Sequence, residues 1–219
     1  GWAIKVGKFF ALGSGPARAL ARVEELYERL SYRDEAEVAV IALEGRKPPT
    51  EEVAEYIARK CGVSPERLYI LIAPTASVVG SVQIAARVVE TGMHKMMELG
   101  FDVEQVASGY GTCPIAPVAE DDLRAIGRTN DCVLYGGRAF YTVRADDAEL
   151  ERLVEQIPSS ASRDYGKPFY ELFQAYGGDF YRIDPLLFSP AEVFINNLSS
   201  GRTYRAGGPN LEVLRGILG

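Results

Sequence analysis

The chain has 219 residues, 47% of them hydrophobic and 25% charged, enough to bury the core of one large domain or two small ones. A net charge of −6 argues against general nucleic-acid binding, which needs a basic surface to neutralise phosphates. The three cysteines (Cys61, Cys113 and Cys132) fit neither a disulfide framework nor a zinc site, and no run approaches the roughly 18 apolar residues of a membrane span. With no secretory leader in view either, the expectation is a cytoplasmic protein without a nucleic-acid or membrane partner.

Residues 3–12 (AIKVGKFFAL) read as a strand, with partial alternation and two aromatics. It runs into Gly13-Ser14-Gly15-Pro16 and then a helix over 17–30, for which Pro16 suits the first helical position. The short apolar run 37–43 (EVAVIAL) predicts a strand covered on both faces. Pro48-Pro49 stops the chain, and Thr50 is placed to cap a helix over 51–60 with glutamates in its first turn. A buried strand over 68–73 (LYILIA) and a long helix over 77–99, closed by Gly100, complete an alternating strand–helix rhythm.

The second half reads differently. Residues 133–143 (VLYGGRAFYTV) look like a hairpin about Gly136-Gly137, followed by a helix over 167–176 that leads to residues 180–183. Residues 192–198 and 202–205 form a second hairpin across 199–201. The fold class expected is α+β: two layered domains of mixed sheets and helices around a central cleft. The proposed boundary places a helix-covered domain in 1–110 and a hairpin-rich domain in 111–219, with the break near 109–117.

The 77–99 helix carries the chemical signal. Between Arg67 and Lys95 the only formally charged side chains are Arg87 and Glu90. At about 100° per residue, Gln83, Arg87, Glu90, Thr91 and His94 share one narrow stripe. The rest of the circumference is Val79, Val82, Ala85, Ala86, Val88, Val89, Met93 and Met96, so the helix is expected to be buried except for one polar seam. One reading is an i, i+3 ion pair that only satisfies itself. The other is that the seam lines a cleft, where Glu90 supplies an acid/base group and Arg87 a fixed cation. Stability alone is a weak reason to keep a buried ion pair, since apolar residues serve as well.

Other motifs are less specific. The Gly13–Pro16 turn can offer backbone N–H groups to an anion, but its spacing matches neither the phosphate loop nor the dinucleotide fingerprint, and a tight turn is its commoner use. His94 is the only histidine, which excludes multi-histidine metal sites and leaves no Ser-His-Asp arrangement in view. Nothing near Cys113 in sequence lowers its pKa, so a small buried loop residue is the better description.

Taken together, GSGPARAL at 13–20, APTASVVGSVQIAARVVETG at 73–92, CPIAPV at 113–118, GRTND at 127–131, DYGKPFY at 164–170 and the IDP at 183–185 resemble methenyltetrahydromethanopterin cyclohydrolases. The resemblance covers essentially the whole chain, and the 73–92 segment is its most specific part. It aligns Gly1-Trp2 about a third of the way into the family pattern, so the chain is expected to match the C-terminal two-thirds of a longer protein. The resemblance implies two α+β domains, a homotrimer, a tetrahydromethanopterin derivative as substrate, and neither metal nor organic cofactor. It puts the catalytic pair on Arg87 and Glu90. Candidate substrate contacts are Ser14, Gly15, Thr75, Ser77, Gln83 and Arg128. The alternative that stays open is a non-catalytic pterin-binding or assembly subunit with a purely structural Arg–Glu pair.

Overall fold

A computed structural model describes residues 1–178 and 182–218. Among these residues the strands form two mixed four-stranded sheets, and the chain divides into two compact units, Gly1–Thr75 and Ala76–Gly219. The architecture is α+β, as the sequence predicts. No helix among the described residues is long and apolar enough to cross a membrane.

In the first unit, β1 (Trp2–Val6) and β2 (Phe9–Ser14) form an antiparallel hairpin that turns at Gly7, φ 56. The single strand expected over 3–12 is therefore two strands. The helix expected over 17–30 is likewise two short ones, α1 (Ala17–Ala21) and α2 (Leu26–Arg29). Arg22 causes the break: it takes a left-handed φ of 48 and closes its N–H onto the Arg18 carbonyl. Next, β3 (Ala39–Glu44) pairs antiparallel with β2 and parallel with β4 (Leu68–Ala73), across α3 (Glu51–Cys61).

Helix α3 buries Val53, Ile57, Ala58 and Cys61, one apolar stripe, in a core shared with Trp2, Ile4, Ala39, Ile41 and Leu43. Thr50 stands at its N-cap, but its hydroxyl makes no capping bond; Gly62, φ 72, closes the other end. Only one face of the sheet is covered. On β3, Ala39, Ile41 and Leu43 are buried while Ala42 is exposed, and Tyr69 and Leu71, which pair with Val40 and Ala42, are exposed on β4. The expected two-sided burial of 37–43 and 68–73 is thus corrected, because a short apolar run does not tell a half-covered strand from a fully covered one.

In the second unit the expected 77–99 helix is interrupted at Arg87 into α4 (Val78–Ala86) and α5 (Val88–Glu98). The sheet then has the order β5 (Val106–Thr112), β6, β7, β8. Instead of a hairpin over 133–143, α6 (Asp122–Gly136) leads straight into β6 (Arg138–Val143). Asp121 caps α6, its carboxylate accepting from the Arg124 N–H at 2.7 Å. At the far end Gly137 is extended, φ −68 and ψ 139, not the positive φ that a tight hairpin turn requires. Gly136 is there because a β-carbon would stand 2.8 Å from Pro114 Cγ.

After α7 (Asp147–Leu153) and α8 (Phe169–Ala175), β7 (Glu192–Asn197) and β8 (Thr203–Gly207) form the second expected hairpin, and α9 (Leu211–Leu218) follows as the last of the described elements. The segment 180–183 to which α8 is expected to lead begins outside the described residues. Strand β7 runs parallel to β6, while β5 and β8 are antiparallel edges. The inner face of this sheet (Ala139, Tyr141, Val143, Val193, Ile195 and Ala206) is covered by Met96 of α5 and by Leu150 and Leu153 of α7. Val89 and Met93 of α5 pack on the same cluster, so α5 lies on a rigid floor.

Candidate active site

The break at Arg87 decides what the Arg–Glu pair looks like. Arg87 has φ −88 and ψ 7, outside the helical region, and serves as the last cap of α4 and the first of α5. Its carbonyl accepts from the Thr91 N–H and from the Thr91 hydroxyl, both at 2.9 Å. Hydroxyl back-bonding of this kind ties Thr91 to the break at Arg87. Ser77 caps α4, its Oγ accepting from the Gly80 N–H at 3.0 Å. The entry is pinned once more where the Ala76 N–H donates to Asp122 of α6 at 2.9 Å.

Arg87 and Glu90 meet as a fork on a fork. Arg87 Nε donates to Glu90 Oε2 and Nη2 to Oε1, each at 3.0 Å. This bidentate geometry fixes both planes, which a lysine in place of Arg87 would not do. The expected burial of the helix outside its polar seam does not hold along α4. The side chains of the pair are 35% and 51% exposed, and Val78, Val79 and Val82 of α4 face outward too. The apolar all-round pattern misled because it belongs to two helices with different buried faces. Pairs this exposed add little stability. Each Glu90 oxygen accepts one guanidinium N–H, and a carboxylate oxygen has capacity for a further donor such as water.

Underneath, the first turn of α5 sits unusually close to the sheet. β-Carbons at Gly111 and Gly137 would stand 2.7 and 3.0 Å from the methyls of Val88, and one at Gly109 3.0 Å from a methyl of Val89. Those glycines therefore let the helix down onto β5 and β6. Further along, Lys95 is buried and donates to the Leu186 carbonyl; burial lowers its pKa to about 8, with Asp184 opposing. His94 lies exposed on α5, away from the buried stripe.

The remaining candidates are distributed as follows. Gln83 on α4 and Arg128 on α6 are half-buried, and α4 packs against α6. Thr75 is buried and donates its hydroxyl to Glu44 at the end of β3. Ser14 ends β2 opposite Ala42, and Gly15 has φ 93; a β-carbon added there would stand 3.4 Å from the Val40 carbonyl. Burial pushes the Cys113 thiol up to about 12, which makes it a poor nucleophile.

Two motif residues have roles that sequence reading did not assign. In GRTND, Asp131 is buried and accepts from the Phe169 N–H at 2.8 Å, capping α8 from another helix. Gly127 leaves room for Tyr170, whose β-carbon would be 2.8 Å from a β-carbon at 127. Nothing local signals either role, since the partners lie about forty residues downstream.

The sequence matches the family model described as Cyclohydrolase (MCH) over residues 1–217. The chain belongs to this cyclohydrolase family. It is 54% identical over 222 residues to the methenyltetrahydromethanopterin cyclohydrolase of Methanocaldococcus jannaschii, covering 100% of this chain and 69% of that protein. It is also 54% identical over 217 residues to the enzyme of that name from Methanothermobacter marburgensis, and 50% identical over 216 residues to that from Methanococcoides burtonii. Each of those matches covers 98% of this chain and 68% of the relative.

Proposed function

We propose that this cyclohydrolase reversibly hydrolyses the methenyl bridge of 5,10-methenyl-tetrahydromethanopterin to the 5-formyl compound, with Glu90 and Arg87 as its catalytic pair. The observation that carries the reading is the bidentate, solvent-facing Arg87–Glu90 fork at the start of α5 in a member of this family.

The bridge carbon is part of a cationic amidinium and is already electrophilic, so the protein's task is to place water and move protons. Water adds to that carbon as Glu90 takes one of its protons. The adduct collapses to a carbonyl, the second carbon–nitrogen bond breaks, and Glu90 returns its proton to the departing nitrogen. The remaining proton of the original water goes to solvent, so a cation and water become a neutral formyl product and one proton. Arg87 holds the carboxylate in plane, orients the water and faces the oxygen that becomes the formyl group.

Ser77, Gln83 and Arg128 are proposed as substrate contacts in the second unit, and Ser14, Gly15 and Thr75 in the first. The engaged Ser77 and Thr75 hydroxyls suit a positioning role more than a chemical one. The same reading includes a homotrimer, a cytoplasmic location, and the pterin as substrate with no additional cofactor.

The test follows loss of the methenyl chromophore. Glu90→Gln keeps shape and loses basicity, so kcat should fall by about a hundredfold or more with KM near the parent value. A near-parent rate in that variant would sink the assignment. Tight substrate binding without turnover by the parent protein would favour the non-catalytic binding subunit instead.

A further inference from the structure

We propose that Tyr141 is a positioning residue for Glu90, acting through the peptide group that joins Val89 to Glu90; the inference rests on Glu90 being the proton carrier. Tyr141 stands on the inner face of β6 with its side chain fully buried. Its hydroxyl donates to the Val89 carbonyl at 2.8 Å. A planar peptide places that carbonyl in one plane with the nitrogen and Cα of Glu90. Whatever fixes the direction of the carbonyl therefore fixes the direction in which the Glu90 side chain leaves the helix.

A helical carbonyl ordinarily has one partner, the N–H four residues on. Here a second donor arrives from outside the helix, on a ring held in the sheet's core beside Met96, Val193 and Ile195. Burial raises the phenol's pKa well above its ordinary value, so the group is a neutral donor throughout the working range.

The approach also depends on Gly92, one turn beyond Val89. A β-carbon there would overlap the Tyr141 hydroxyl and stand 3.1 Å from its Cζ and 3.2 Å from Pro190 Cδ. With Gly109 and Gly111 admitting Val88 and Val89, the buried side of the turn is seated by one hydroxyl and several missing side chains. The exposed side of the same turn carries Glu90. A residue with only a structural role here would affect how long the fold survives, not how fast it turns over.

Tyr141→Phe removes the hydroxyl and keeps the ring. In the steady-state assay of chromophore loss, its kcat should fall about tenfold with KM changed less than about twofold, since small misplacements of a catalytic group are costly. Gly92→Ala displaces the hydroxyl and should give the same kcat-specific loss in the protein that folds. A kcat within about twofold of the parent in Tyr141→Phe, even with a lower thermal midpoint, overturns the proposal, as does a loss carried wholly by KM. An inactive parent would instead reject the catalytic assignment itself, so the two failures are separable.

Discussion

Residues 87–92 and residues 127–131 look alike as sequence: each is short, mixes charge with small residues, and lies on a helix of the second unit. The structure uses them in opposite ways. The first exposes its charges and buries its glycine, so that Arg87 and Glu90 face solvent while Gly92 meets Tyr141. The second buries its carboxylate and spends it on the backbone of α8. What separates the two is exposure: the Arg87–Glu90 fork is open to solvent, whereas Asp131 is sealed against the α8 backbone.

The largest effect expected from that contrast is at Arg87. Arg87→Ala should lower kcat by about 10²–10³, the usual size of a lost preorganised cation. Its unfolding free energy should stay within about 1 kcal/mol of the parent, because the pair is exposed. Denaturant titration beside the turnover assay reads both, and a large loss of stability would make the pair architectural after all.

Next comes Gly127→Ala, where the new methyl meets Tyr170 Cβ and, at 3.3 Å, its backbone. Helix α8 must shift, and a loss of about 1–3 kcal/mol is expected with kcat nearly unchanged. A variant as stable as the parent would show that the two helices are not closely seated.

The smallest effect is a change of slope. Burial pushes the Asp131 carboxyl up to about 7, against the Phe169 N–H and with help from Glu171. The folded protein then holds a proton that the unfolded chain releases above about 4, so the stabilisation from this group is complete below that pH and is lost as pH rises through 7. Asp131→Asn keeps an acceptor for Phe169 and cannot ionise. Its thermal midpoint should fall less than the parent's between those pH values, and equal slopes would place the titration elsewhere.

How much of this was legible beforehand follows the range of the interactions. The second hairpin and α3 carry local signals in their turn residues and apolar spacing, and appear where expected. The Arg87–Glu90 pair was legible because its partners are three residues apart. The break at Arg87 was not, since two consecutive helices with different floors read as one apolar helix. Asp131 and Tyr141 act on Phe169 and on Val89, 38 and 52 residues away, and no window of sequence contains such pairs. The hairpin expected at Gly136-Gly137 failed because those glycines admit Pro114 and Val88 and do not turn the chain.

Trp2 offers a practical consequence. It is the chain's single tryptophan and is 2% exposed in the core of the first unit. Its emission is therefore an intrinsic beacon for that unit, and set against the far-ultraviolet dichroism of the whole chain it can show, with no label attached, whether the first unit melts with the rest.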